Sequence, residues 1–317
     1  MYTVCYVLTD NPKLLFYHQL LISIRSLRKY SATQPITVLM DKTTELILTK
    51  QNRTELNSDE SIKMLTVEIP DYYNQKEKSR YLKLKTRKLL TGTFLFVDTD
   101  TVFSDKLPEI LSDSQLALTY DLNIKIKDRI DRKQLEDMNR SYGYPINEKK
   151  YEYYNSGVIW CQDTDLCHSF YSDWFQCWEV NRSKGQVLDQ PSLNYVNRKR
   201  NGVISSLQSI YNVQISASPC PIQYLSRAVI IHYFNIIENS PYLLSNYNIF
   251  NSHLSDKEIN QILENPKSAF APCILLRRNS ETDHILHSYN YQALTILYRK
   301  FPRLFQFINK ILSHIIG

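Results

Sequence analysis

Glycine is scarce in this 317-residue chain, with only six in all. So few leave no G-x-x-x-x-G-K-[ST] loop and no G-x-G-x-x-G, which excludes the standard glycine cradles for nucleotide phosphates. Long apolar runs are also missing. No stretch of about 18 or more apolar residues occurs, so no transmembrane helix is expected. The six cysteines (Cys5, Cys161, Cys167, Cys177, Cys220, Cys273) are scattered and form no C-x-x-C pair. That argues against a zinc site or a disulfide framework and for reduced thiols in a cytoplasmic protein. The opening residues Met1-Tyr2-Thr3-Val4-Cys5-Tyr6-Val7-Leu8 lack a basic leader and a small-residue cleavage site, so they read as a first strand. Without a secretory signal, the sequons Asn52-Arg53-Thr54 and Asn181-Arg182-Ser183 carry little weight. No strong charge of one sign is present. The 38 Lys and Arg against 32 Asp and Glu leave a net charge of +6. That balance suits phosphate-bearing ligands or an anionic membrane and does not by itself argue for nucleic acid.

What is present is a globular composition, 43% hydrophobic and 22% charged, enough for one large α/β domain or one domain with an appendage. The chain is organised around Phe94-Leu95-Phe96-Val97-Asp98-Thr99-Asp100-Thr101-Val102-Phe103. Four apolar residues read as a strand buried on both faces, as in a parallel sheet covered by helices. In open α/β sheets, ligands gather at the carboxyl ends of the strands. Asp98 and Asp100 are therefore expected where a buried strand opens into a cleft. Two unpaired carboxylates there repel each other and resist desolvation. A Mg²⁺ or Mn²⁺ ion removes both problems, since it takes oxygen ligands from one or two carboxylates and from substrate phosphates. The bare Asp-x-Asp pattern also fits the start of a polar turn.

Residues 2–9 read as strand, Thr9-Asp10-Asn11-Pro12 as a turn opening a helix, and residues 17–30 as that helix, with Leu20, Leu21, Ile24 and Leu27 at helical spacing. Pro35-Ile36-Thr37-Val38-Leu39-Met40 and Met64-Leu65-Thr66-Val67-Glu68-Ile69 read as further strands, with a helix over 44–51 between them. This alternation predicts a Rossmann-like half. Asp10 and Asn11 suit nucleotide contact at a strand end, or ordinary helix capping. Residues 79–88 form a basic helix in which Arg80 and Lys83 share a face, and a guanidinium there suits a diphosphate. Leu116-Ala117-Leu118-Thr119-Tyr120 delivers Asp121. Residues 125–139, dense in mixed charge, read as a surface helix or mobile flap. A polar turn at Asn155 is expected to enter the strand ending at Trp160. A helix over 164–180 follows, with Phe170, Trp174 and Trp178 in the core. Pro191 suits the first turn of the next helix. Ala228-Val229-Ile230-Ile231-His232-Tyr233-Phe234 is a last buried strand ending in a histidine.

Taken in order, Val7-Leu8-Thr9-Asp10-Asn11, Arg80-Tyr81-Leu82-Lys83-Leu84, Phe96-Val97-Asp98-Thr99-Asp100, Tyr154-Asn155-Ser156-Gly157-Val158, Leu188-Asp189-Gln190-Pro191 and Ile231-His232-Tyr233 resemble glycosyltransferase family 8. That family has the GT-A fold and includes bacterial lipopolysaccharide galactosyl- and glucosyltransferases. The resemblance implies a mixed, mostly parallel sheet flanked by helices, a UDP-sugar donor, and Mn²⁺ or Mg²⁺ held by Asp98, Asp100 and His232. Thr9, Asp10 and Asn11 are then expected at the uridine, and Arg80 or Lys83 at the diphosphate and donor sugar. Thr99, Asn155 and Ser156 complete the donor site. Asp121, Asp189 and Gln190 are expected near the anomeric carbon. Transfer with retention to a glycan or glycolipid of the bacterial surface follows. The match departs after His232, where the family continues to Lys-Pro-Trp and this chain reads Phe234-Asn235-Ile236-Ile237-Glu238-Asn239-Ser240-Pro241-Tyr242.

Residues 1–250 are thus expected to form the catalytic domain and 251–317 a helical C-terminal segment. Ser255 suits the N-cap of a short helix. Further on, Leu297, Phe301, Leu304, Ile308, Leu312 and Ile315 lie on one helical stripe beside Arg299, Lys300, Arg303 and Lys310. Such a stripe packs on the catalytic domain or docks on an anionic membrane at its inner face. Two other functions fit parts of the pattern. A metal-dependent phosphohydrolase would use the same Asp-x-Asp but lacks a second His/Asp cluster. A non-catalytic carbohydrate- or membrane-binding protein on this fold would be expected to have lost one of Asp98, Asp100 and His232.

Overall fold

The structure, a computed structural model, describes residues 2–57, 59–129, 131–144, 146, 152–215, 222–234, 244, 254–271 and 289–316. The residues after Phe234 that depart from the family pattern lie outside that set.

Among the described residues, seven strands form the main sheet in the order β3-β2-β1-β4-β7-β6-β8. They are β1 (Thr3–Leu8), β2 (Ile36–Asp41), β3 (Ile62–Val67), β4 (Phe94–Val97), β6 (Leu116–Tyr120), β7 (Tyr154–Cys161) and β8 (Ser205–Ser206). Only β7 runs against the others. Side chains alternate across a strand, and here both faces are apolar. Leu95 and Val97 join one core with Val4, Tyr6, Leu8, Val38 and Trp160. Phe94 and Phe96 join a second with Cys5, Val7, Leu39 and Ile159.

Helix α1 (Leu15–Tyr30) covers the first face with Tyr17, Leu20, Ile24 and Leu27. The second face is covered by α3 (Gln75–Leu89), α5 (Asp165–Arg182) and α6 (Gln190–Lys199). Helix α2 (Lys42–Lys50) links β2 to β3. Phe170, Trp174 and Trp178 of α5 are fully buried in the second core, as their spacing predicts. Helix α3 starts where it does because Asn74 and Glu77 form a reciprocal capping box.

A second, three-stranded sheet pairs β5 (Thr101–Phe103) with β10 (Ile230–His232) antiparallel, and β10 with β9 (Val213–Gln214) parallel. The chain passes from the large sheet to the small one between Val97 and Thr101, so Asp98-Thr99-Asp100 is the crossing. Register then pairs His232 with Thr101, beside Asp100.

Some expectations are corrected. Residues 125–139, expected as a surface helix or mobile flap, do hold a helix, but one that is anchored by buried side chains. They contain a short 3-10 turn, Ile126–Asp128, and α4 (Arg132–Ser141). Ile126, Arg129, Leu135 and Asn139 are buried, and Ile126 and Leu135 pack with Tyr153 in a small core of their own. The expected turn at Asn155 is strand: Asn155, Ser156 and Gly157 lie within β7, opposite the register shift between Leu118 and Tyr120 of β6.

Between α6 and the C-terminal segment, α7 (Ile222–Leu225) flanks the small sheet. Helix α8 (Asp256–Glu264), capped by Ser255, and α9 (Pro266–Ala269) follow. Ile262, Ala269 and Phe270 pack with Ile22 of α1 and with β10, so residues 254–271 join the core beneath the small sheet. The single stripe read in the tail is two helices, α10 (Tyr289–Lys300) and α11 (Pro302–Ile316), because Pro302 opens a new helix. Tyr298 and Phe305 meet edge to face across that break, 5.0 Å apart. No helix among the described residues is long and apolar enough to cross a membrane.

Candidate active site

A cleft of about 1160 Å³ opens at the carboxyl ends of β1 and β4. At one end it is lined by Val7, Thr9 and Phe16, facing Asn74, Gln75 and Lys76 at the start of α3. Thr9 and Gln75 are tied reciprocally: Gln75 Nε2 donates to Thr9 O (3.1 Å) and Thr9 Oγ1 to Gln75 O (3.3 Å). Asp10 and Asn11 do not line the cleft. The Asp10 carboxylate accepts from the backbone N–H groups of Asn11 (2.8 Å) and Tyr17 (2.7 Å), and Asn11 Oδ1 accepts from Lys13 N–H (2.9 Å). Asp10 thus satisfies an N–H in the first turn of α1, the capping role weighed above, while Asn11 closes the turn that precedes the helix. Burial raises the Asp10 pKa to about 6, against the opposing pull of those N–H groups.

The middle of the cleft holds Asp98, Thr99, Asp100 and His232. His232 Nε2 lies 3.3 Å from Asp100 Oδ1 and 3.9 Å from Asp98 Oδ2, and one ligand atom from each of the three falls within 4.8 Å of the others. Burial raises the Asp98 carboxyl, only partly offset by Lys83. Burial acts the same way on Asp100 but is outweighed by the His232 ring, which holds it below its usual range.

Three observations fit a divalent cation here. The donor set is two carboxylates and an imidazole, which suits Mn²⁺ or Mg²⁺. His232 Nε2 is buried and, among the described residues, has no partner in well-formed hydrogen-bond geometry, its nearest neighbours being the two carboxylates. Finally, a Cβ on Gly157 would stand 2.1 Å from His232 Cε1 and 3.0 Å from Asp98 Oδ2, so the strand lets the ligands converge only because this residue has no side chain. The reading of the sequence gave Gly157 no role. The signal was available, since a glycine inside an apolar strand marks close approach of another group.

Lys83 reaches this cluster from the buried face of α3. Its Nζ lies 3.2 Å from Asp98 Oδ1, 3.3 Å from Ser156 Oγ and 3.6 Å from Asp189 Oδ2. Arg80, one turn earlier, places Nε 3.5 Å from Asp189 Oδ1, and that Nε has no hydrogen bond. Asp189 also accepts from Ser156 Oγ at 2.9 Å. Burial raises its pKa, but Lys83, Arg80 and Ser156 together hold it below its usual value.

The far wall carries Asp121, Asn155, Gln190, Arg129 and Tyr153. Asp121 receives Arg129 Nη1 at 2.6 Å and Asn155 Nδ2 at 3.2 Å, and Arg129 also clamps Asp131. Arg129 escaped the sequence reading because it sits in a mixed-charge stretch with no local sign of burial. Asn155, Ser156, Asp189 and Gln190 line this wall, and residues from three distant segments meet here.

The geometry is that of a cleft with an Asp–Asp–His cluster suited to a cation at its centre, cationic side chains beside it and a polar wall beyond. A family model described as nucleotide-diphospho-sugar transferase matches residues 31–253. Among solved structures, that of an active-site mutant of LgtC is similar at TM-score 0.52 and 14% identity, over 80% of this chain and 98% of that one. Mouse xyloside xylosyltransferase 1 follows at TM-score 0.48 and 11% identity, over 76% and 99%. The glycosyltransferase GlyE of Streptococcus pneumoniae TIGR4 gives TM-score 0.49 and 16% identity, over 86% and 66%. No curated protein matches the chain in sequence.

Proposed function

The chain belongs to the nucleotide-diphospho-sugar transferase family with a GT-A fold, and from that premise we propose a retaining hexosyltransferase of glycosyltransferase family 8. Its donor is a UDP-sugar, its cation Mn²⁺ or Mg²⁺, and its acceptor a glycan or glycolipid in bacterial surface polysaccharide synthesis. The observation that carries this reading is the convergence of Asp98, Asp100 and His232 with Lys83 and Arg80 in one cleft.

The nucleotide lies along the carboxyl end of β1, between Thr9 and Gln75, and the diphosphate lies at the centre. Asp98, Asp100 and His232 would hold a divalent cation, which would supply positive charge against the leaving diphosphate. Lys83 and Arg80 are placed to donate to the same oxygens as their charge builds, and such preorganised donors act most strongly where water is excluded. On the far wall neither carboxylate is free to act as a nucleophile: Asp121 is taken by Arg129 and Asn155, and Asp189 by Ser156, Lys83 and Arg80. That favours Gln190, whose side-chain oxygen stabilises an oxocarbenium-like sugar without bonding to it.

The tail supports docking on an anionic membrane. Phe301, Leu304, Phe307, Ile311 and Leu312 are exposed, Lys300, Arg303 and Lys310 are exposed beside them, and no acidic residue follows Asp283. Such a face suits a protein peripheral to the inner surface.

The test is UDP release from a panel of UDP-sugars with and without Mn²⁺. Cation-dependent release with one hexose donor is expected. Release of inorganic phosphate instead would point to a phosphohydrolase, and no turnover of any donor to a binding protein.

A further inference from the structure

We propose that Asn212 is a positioning residue that sets the tautomer of His232 able to bind a cation, through hydrogen bonds whose polarity begins at the backbone N–H of Gly157. The proposal rests on the cation reading of the cleft.

A backbone N–H can only donate. Gly157 N–H donates to Asn155 Oδ1 at 2.9 Å, which fixes which way round the Asn155 amide sits. Its Nδ2 then faces two acceptors, Asp121 Oδ1 at 3.2 Å and Gln190 Oε1 at 3.4 Å. Asn155 Oδ1 also lies 3.1 Å from the Asn212 side chain. Because that oxygen accepts, the Asn212 atom facing it is Nδ2. The other Nδ2 hydrogen goes to Thr119 Oγ1 at 2.9 Å. An amide held this way presents Oδ1 to His232 Nδ1, 3.0 Å away. An acceptor at Nδ1 requires Nδ1 to carry the proton, so in the neutral ring the lone pair sits on Nε2. Nε2 is the buried atom without a partner in well-formed hydrogen-bond geometry among the described residues, and it faces Asp98 and Asp100.

The opposing pull on the ring comes from Asp100 Oδ1, 3.3 Å from Nε2, and Asp98 Oδ2, 3.9 Å away, which would accept a proton carried there; the Asn212 side-chain carbonyl is what holds the proton on Nδ1 against them. His232 packs at a tilt of 49° against Phe234, with ring centroids 4.6 Å apart, which orients the plane but not the proton. Asn212 itself is fully buried and its backbone carbonyl accepts from Asn123 Nδ2 at 2.8 Å, so its side chain has a fixed origin. The same relay ties the cation histidine to Asp121 and Gln190 on the opposite wall. Groups that hold the second nitrogen of a metal-binding imidazole fix its tautomer and orientation, and their loss weakens metal binding by about 10- to 100-fold.

The experiment is NMR of the metal-free full chain labelled with ¹⁵N-histidine, under alkaline conditions where the ring is neutral, with the resonance assigned by His232→Gln. The expected pattern is a protonated Nδ1 and an unprotonated Nε2. The reverse pattern in wild-type protein overturns the proposal, whether or not any variant folds. Asn212→Leu removes the acceptor at similar size. It is expected to lose the tautomer preference and to bind Mn²⁺, followed by electron paramagnetic resonance, about 10- to 100-fold more weakly. Asn212→Asp keeps an oxygen facing Nδ1 and is expected to keep the tautomer and to bind Mn²⁺ more tightly than the Leu variant. Equal weakening in both variants, or an unmoved tautomer in Asn212→Leu, makes the role merely structural and overturns the proposal. Wild-type protein that shows the expected tautomer yet binds no Mn²⁺ overturns the cation reading instead.

Discussion

Replacing Gly157 by alanine should disable the cation site through space alone. The backbone there lies outside the left-handed region, so alanine meets no conformational penalty. The new Cβ would stand 2.1 Å from His232 Cε1, 2.6 Å from its Nδ1 and 3.0 Å from Asp98 Oδ2. Non-bonded carbons rest at about 3.5–4.0 Å, so the ring must retreat by roughly 1.5 Å. It has nowhere to go. His232 is 2% exposed, its Nδ1 is bonded to Asn212, its ring packs against Phe234, and its backbone is paired with Thr101. Overpacking of this kind costs about 1–3 kcal/mol. Metal–ligand distances tolerate only about 0.2 Å, so the displaced ring ceases to be a ligand. The expected outcome is Mn²⁺ affinity lowered by at least about tenfold, the equivalent of some 1.4 kcal/mol, with a reduced Tm. The assay is Mn²⁺ titration calorimetry beside thermal melts. The double variant Gly157→Ala/His232→Ala separates the clash from other causes. It should be more stable than the two single losses added together, since residues in contact couple by about 0.5–3 kcal/mol. Wild-type Mn²⁺ affinity and Tm in Gly157→Ala would refute the reasoning.

Four further outcomes are expected. Asp98→Asn should abolish cation-dependent UDP release and leave the Tm unchanged or slightly raised, because burial already works against the ionised carboxyl; turnover that still responds to Mn²⁺ would count against it. Lys83→Met leaves Asp98 and Asp189 facing each other without their shared cation, so it should lower stability toward the small end of about 3–5 kcal/mol and raise the donor KM; an unchanged KM removes Lys83 from the donor site. Asp10 has a pKa raised from 3.8 to about 6, so between those pH values the folded chain binds more protons than the unfolded one and stability falls as pH rises. Asp10→Asn should remove that fall, on the order of 3 kcal/mol from about 1.4 kcal/mol per pKa unit, and denaturation curves of the two proteins that stay parallel across the window would refute it. Truncation after Asp283 should abolish co-sedimentation with anionic vesicles, to which the three exposed bases contribute roughly 1 kcal/mol each; equal binding by both chains, or no preference over neutral vesicles, returns the tail to a packing role.

The elements were legible where a local pattern repeats. The apolar run before Asp98, the helical spacing of Leu20, Ile24 and Leu27, and the aromatic ladder of α5 each fix an element and its buried face, because burial acts on every turn or alternate residue. Pro302 was visible too, yet its consequence was overlooked, since the stripe continues through it. Order along the chain was enough to single out Asp98, Asp100 and His232 as candidates. It was not enough to separate Thr9, which lines the cleft, from Asp10, which satisfies an N–H of the first turn of α1, and Asn11, which closes the turn before it. Neighbours on a chain leave a strand end in different directions, and only the backbone path decides which one faces a ligand.

By itself, then, the sequence determined the α/β alternation, the carboxylates at the end of a buried strand and the absence of glycine phosphate loops. The tertiary structure decided the rest. His232 meets Asp100 because β10 pairs with β5 in a second sheet, a register set by contacts between segments some 130 residues apart. Gly157 matters because of what crosses in front of it, and Asn212 because Asn155 has only one oxygen to offer. Hydrogen-bond polarity and close approach are properties of pairs. A chain read one residue at a time records each member of a pair and not the distance between them.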